Sequence, residues 1–233
     1  MKLVEKAKNW FASKNVNVFH VIVIVALIAS FVFSIITFYR AKAFINNGQS
    51  DKYAPVFVQS CIYTLKYNSV KLELVNEVDA YIKSVAPQSA LDGYVIVEEC
   101  IDNAIDICFV LSQGEQESHF GTAGLARRTN SVFNVFAYDG MGHDEISSQG
   151  KYKHPNYSVK PYIKLLKNDY LVNGKTEYDL MENGQYVNKN GARYASAETY
   201  EKMLLNKFSK IRQTTKIDSL AQEANKYKLF LGL

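Results

Sequence analysis

The chain is poor in the residues that usually announce chemistry. Its three cysteines, Cys61, Cys100 and Cys108, show no C-x-x-C spacing, which argues against a zinc framework. Cys100 and Cys108 fall on one predicted helix, roughly 12 Å apart along its axis, beyond the reach of a disulfide. Buried free thiols are the expectation, and Cys108 among apolar neighbours lacks the exposure a nucleophilic thiolate needs. His119, His143 and His154 are scattered, and Gly142-His143-Asp144-Glu145 has no second cluster at ligand spacing, so no catalytic metal is expected. A G-x-S-x-G elbow and a phosphate-binding glycine loop are both absent, which excludes the chemistries they serve and leaves no cofactor to expect. Internal repeats and low-complexity blocks are lacking too.

Charge is uneven rather than scarce. Residues 1–71 hold nine Lys/Arg against two acids, while residues 72–233 hold eighteen against twenty-one. The formal net charge of +4 therefore belongs to the first third of the chain. That distribution suits an anionic membrane surface, and nothing in the larger part suggests nucleic acid.

What the chain does have is a long apolar run. From Val18 to Phe38 only His20, Ser30, Ser34 and Thr37 carry polar side chains. At 1.5 Å per residue the run spans about 31 Å of helix, the hydrocarbon thickness of a bilayer. Lys2, Lys6, Lys8 and Lys14 precede it and only Arg40 and Lys42 follow closely, so residues 18–39 are expected to cross the membrane once with the N-terminus cytoplasmic. The rival is a cleavable signal peptide ending at Ala41-Lys42-Ala43, but the run exceeds a signal h-region in length.

Residues 1–17 read as a cytoplasmic segment and 40–71 as a juxtamembrane connector with a break at Asn46-Asn47-Gly48-Gln49-Ser50. A helix pattern follows through Val75, Val78, Ile82 and Val85, stopped by Pro87. Tyr94 to Ser112 reads as one more apolar, central helix with Asp92 as its cap. Val159–Leu171 and about Ala197–Ile211 are helical patterns, the latter presenting Tyr200, Met203, Leu204, Phe208 and Ile211 on one face. Asn173-Gly174, Asn183-Gly184 and Asn190-Gly191 predict one or two hairpins within 172–195. The tail 214–233 is expected to be helical. The fold class is thus α+β, mainly α.

Glu117 closes the central apolar stretch. A carboxyl where a buried helix meets a cleft is partly desolvated, which favours its protonated form and suits a general acid. Glu117-Ser118-His119-Phe120-Gly121, then Thr129-Asn130-Ser131-Val132-Phe133-Asn134-Val135, then Arg193-Tyr194-Ala195-Ser196 with Tyr200-Glu201, resemble in order and spacing the motifs of the glucosaminidase family of peptidoglycan hydrolases.

The resemblance covers roughly residues 75–213. It implies a lysozyme-like, two-lobed domain over 72–213 with a small β-hairpin lobe, binding peptidoglycan glycan strands in a groove outside the membrane. It makes Glu117 the catalytic acid and Tyr194 the phenol facing it. Asn130, Phe133 and Asn134 would line the floor, Tyr138 would join the substrate contacts, and Ser118 would fix the local backbone. Phe133 reads equally as core. The chain departs from the family at His119 and Asn134, where glycine is common, and both changes add side chains beside the groove.

The second carboxylate stays open. Asp139, Asp144 and Glu145 are candidates, with Asp139 and Glu145 slightly favoured; Glu177, Asp179 and Glu182 are others, and substrate assistance by the N-acetyl group needs none. Hydrolysis of a β-1,4 bond, an endo-β-N-acetylglucosaminidase activity, is the favoured expectation. A lytic transglycosylase of the same fold and a catalytically silent glycan-binding or assembly protein are the rivals.

Overall fold

The structure is a computed structural model and describes residues 50–135 and 147–233. The chain divides into two compact units, Met1–Cys61 and Ile62–Leu233. The predicted membrane span at 18–39 lies outside the described residues, among which no helix is long and apolar enough to cross a membrane.

The described chain is mainly helical. Helix α1 spans Ser50–Val85, so from Ser50 onward the expected connector is continuous helix. Its buried face, Leu74, Val78, Tyr81 and Ile82, recurs at helical spacing. The helix ends just before Ala86-Pro87, because the residue ahead of a proline is pushed out of the α region.

The single helix expected from Tyr94 to Ser112 is two. Helix α2 spans Gly93–Asn103 with Asp92 capping through the Tyr94 amide, and helix α3 spans Ile107–Ser118. Between them Ala104 turns left-handed at φ 54°, and the Asp106 carboxylate accepts from the amides of Cys108 and Phe109. The apolar period runs straight through this break, but a good N-cap contributes about 1 kcal/mol to starting a new helix. Cys100 and Cys108 consequently sit on different helices, both buried and both free thiols.

Helix α3 is the centre of the unit. Every side chain from Ile107 to Gln113 is buried, and fully burying each large apolar one contributes about 1.5–3 kcal/mol. After α3 come a short α4, Ala126–Thr129, then 3-10 turns at Ser148–Gly150 and Pro155–Ser158. Helix α5, Val159–Leu165, runs directly into a π-helical turn at Leu166–Tyr170, closed by the Leu171 amide on the Leu166 carbonyl at 2.8 Å. Helix α6 is one turn, Glu177–Leu180. Helices α7, Tyr200–Thr214, and α8, Ile217–Leu231, complete the chain. Helix α7 packs lengthwise on α3 through Tyr200, Leu204, Phe208 and Ile211, while Met203 stays 45% exposed.

The hairpin lobe is reduced to almost nothing. Among the described residues the only β pairing is an isolated antiparallel bridge, Val187 to Arg193. The Asn-Gly turns do form, with Asn173, Gly174, Gly184 and Gly191 at positive φ. Local chemistry overrides strands between the first two: Thr176 and Asp179 make a reciprocal capping box that starts α6. Around Gly191 a minimal ladder survives, with the Tyr194 amide on the Tyr186 carbonyl at 2.9 Å.

Candidate functional site

Glu117 lies in the last turn of α3, half-buried. The Asn134 amide nitrogen donates to its Oε2 at 3.2 Å and to its backbone carbonyl at 3.1 Å. The Tyr200 hydroxyl donates to its Oε1. These partners come from the segment after α4 and from the first turn of α7.

Behind Tyr200 stands Gln113, fully buried one turn earlier on α3. Its Nε2 donates to the Tyr200 oxygen at 3.2 Å. Its Oε1 accepts from the Tyr186 hydroxyl at 2.6 Å and from the Tyr162 hydroxyl. Burial pushes the phenols of Tyr162, Tyr186, Tyr194 and Tyr200 well above the usual tyrosine range, and the Glu117 charge reinforces this at all but Tyr162. All four therefore keep their protons at ordinary pH and act as donors.

Tyr194 is held rather than aimed at the carboxyl. Its hydroxyl donates to the Phe133 carbonyl at 2.8 Å, and its ring stacks on Tyr186 at 4.7 Å and lies parallel to Tyr200 at 6.0 Å. Arg193, its neighbour, pairs with the buried Glu201 through both carboxylate oxygens at 2.8 and 2.9 Å. The phenol that touches Glu117 is thus Tyr200, which the motif comparison did not single out as a site residue. Its place in the third motif, at Tyr200-Glu201, was the available clue.

The remaining motif residues shape the scaffold. Ser118 Oγ donates to the Val132 carbonyl at 2.6 Å and accepts from the Gly121 amide at 2.8 Å, tying the end of α3 to the next motif. Asn130 gives its amide to the Tyr152 carbonyl at 2.8 Å. Phe133 is buried and stacked on Tyr162 at 3.8 Å. Gly114 makes room for this layer, since a Cβ there would meet Phe120 at 3.1 Å and Phe133 at 3.3 Å.

The two positions where the resembled motifs carry glycine share a physical explanation. His119 and Asn134 are both left-handed, at φ 47° and 49°, where glycine is the unstrained choice. Asparagine is the next best tolerated there, and histidine less so. His119 caps α3 with its amide on the Glu115 carbonyl at 3.1 Å. Its exposed side chain borders an open cleft with Pro87, Gln88, Thr122 and Arg127. His119→Gly is expected to stabilise the fold by about 0.5–1 kcal/mol, as relief of left-handed strain outweighs the added freedom of the unfolded chain. Midpoints of urea unfolding compare the two; a lower midpoint for the glycine variant contradicts the account.

Of the carboxylates considered as a second group, Asp139, Asp144 and Glu145 lie outside the described residues, as does Tyr138. Glu177 accepts from the Asp106 amide at 2.9 Å, at the opposite end of α3 from Glu117. Asp179 belongs to the capping box and Glu182 is exposed. Glu115, two residues before Glu117, is taken up by Lys207 at 2.5 Å and by the Tyr81 hydroxyl. Burial resists its ionisation, but these two donors and the Lys207 and Lys210 charges outweigh it and hold the carboxyl below the usual range. Among the described residues no group of three or more His, Cys, Asp or Glu is placed to hold a metal. Neither a family model nor a curated protein matches this chain.

Proposed function

We propose that this chain is a peptidoglycan hydrolase of lysozyme-like fold, tethered by residues 18–39 with its N-terminus cytoplasmic and its catalytic unit outside. It cleaves β-1,4 bonds of the glycan strand with Glu117 as the general acid. The observation that carries this reading is convergence on one carboxyl. Three motifs, scattered from Glu117 to Tyr200, come together here: Asn134 and Tyr200 donate to the Glu117 carboxyl, and Tyr194 ties the third motif to the second through the Phe133 carbonyl. Left-handed backbone at both positions where the family has glycine supports the same reading.

In the reaction Glu117 gives a proton to the glycosidic oxygen, the C1–O bond breaks, and water adds at C1 while its proton returns to the carboxylate. Asn134 and Tyr200 then hold the ionised carboxylate, to which both donate. A second reading, lytic transglycosylase, shares one supporting feature with substrate-assisted hydrolysis. Glu115, two residues before Glu117, and Glu201, next to Tyr200, are paired with Lys207 and Arg193. Single-carboxylate chemistry ends either with N-acetyl assistance and water, or with an internal sugar hydroxyl at C1.

Mass spectrometry of muropeptides released from purified sacculi separates the outcomes. Hydrolysis gives reducing ends, and transglycosylation gives anhydro ends lighter by one water. Release of neither product by the full chain in membranes would leave a glycan-binding module.

A further inference from the structure

The hydrogen bonds around Gln113 have only one consistent direction. Tyr162 and Tyr186 each have one proton and both give it to Gln113 Oε1, filling that oxygen's two lone pairs. This fixes which end of the amide is oxygen, so Nε2 must face Tyr200 and donate to it. A hydroxyl that accepts from one side has to send its own proton elsewhere, and Tyr200 sends it to Glu117 Oε1. The whole chain of donors is buried: Gln113, Tyr162 and Tyr186 are 0% exposed and Tyr200 is 6% exposed. Solvent therefore offers these groups no easy alternative partner, and reversing any link strands a buried polar group.

We propose that Gln113 and Tyr200 are positioning residues that keep Glu117 Oε1 an acceptor, so that the catalytic proton is carried on Oε2, beside Asn134. This rests on the reading of Glu117 as the acid. Protonation at Oε1 would oblige Tyr200 to accept from both Gln113 and Glu117 and leave its own proton unpaired. On the Oε2 side Asn134 adapts more easily, since its own Oδ1 is buried without a hydrogen-bond partner. Among the described residues the titratable groups that feel the Glu117 charge include the phenols of Tyr186, Tyr194 and Tyr200.

The test is the pH profile of glycan-strand cleavage by the membrane-embedded full chain. Tyr200→Phe removes a donor that favours the ionised carboxyl, so Glu117 holds its proton to higher pH. The alkaline limb of kcat is expected to move up by roughly one pH unit, with KM within about twofold. Gln113→Glu keeps the acceptor for Tyr162 and Tyr186 but cannot donate to Tyr200, whose proton turns to residue 113. It is expected to move the limb in the same direction. The double variant should move it no further than Tyr200→Phe alone, because both act through one link. A parental limb in Tyr200→Phe overturns the proposal, whether or not the Gln113 variant folds. Full additivity in the double variant overturns the role of Gln113, since it would mean simple charge repulsion. An active Glu117→Gln chain would instead sink the reading of the site itself.

Discussion

Glu117→Gln is expected to lose nearly all glycan cleavage, about 10²–10⁴-fold in kcat, while unfolding close to the parental temperature. The amide matches the carboxyl in shape and can still present an oxygen to the Tyr200 hydroxyl. Its NH2 then faces Asn134, whose Oδ1 is buried without a hydrogen-bond partner and can be turned to accept. The fold therefore loses little, about 1 kcal/mol or less, and the chemistry loses its proton. Release of soluble muropeptides over time, read beside a thermal melt, separates the two effects. Retention of more than about a tenth of parental turnover would contradict a general-acid role of this size.

Arg193→Met is expected to be the most damaging surface-facing change to stability. Glu201 is 1% exposed and its two oxygens share one guanidinium nitrogen. Removing that partner leaves a buried charge, at a cost of about 3 kcal/mol, the low end for such pairs. Two features hold it there: Arg193 is one-third exposed to water, at 32%, and Glu201 sits in the first turn of α7, where the helix dipole favours an anion. For a unit of this size the melt should fall by roughly 6–12 °C. Adding Glu201→Gln to Arg193→Met removes the unpaired charge and should recover part of the loss. No recovery in the double variant would show that packing of the arginine stem, not charge, is what matters.

Glu117 stood out in the sequence because it ends an apolar stretch within a spaced motif, and Asn134 because it follows in the next one. Tyr200 fell within the third motif but was not legible as a site residue, because it also reads as one more core residue on the apolar face of α7. What sets it apart is the direction of one hydroxyl proton, fixed by Gln113, Tyr162 and Tyr186 from elsewhere in the chain. Helix content was largely legible from periodicity, yet the break at Ala104–Asp106 was not. Cys100, Ala104, Ile105 and Cys108 keep the helical apolar spacing across it, while the deciding contact is a local aspartate cap. The turns in 172–195 were legible from Asn-Gly pairs. The strands were not there to be read, because the intervening residues favour a capping box over a ladder.

The π turn at Leu166–Tyr170 has a consequence for how the tyrosine layer tolerates change. It packs one extra residue into the helix, and its last residue, Tyr170, meets Tyr186 and Tyr194 edge-on at 5.2 and 5.4 Å. Deleting one of Lys167, Asn168 or Asp169 would, unless the wide turn closed up to ordinary helix, swing Tyr170 by about 100°. The edge-on partner would then leave the two stacked rings, and with it the side support of the phenol that grips the Phe133 carbonyl. Exchanges at the exposed Lys167 or Asn168 thus leave the ring layer in place, whereas shortening the turn, or replacing Tyr170 itself, takes away its side support.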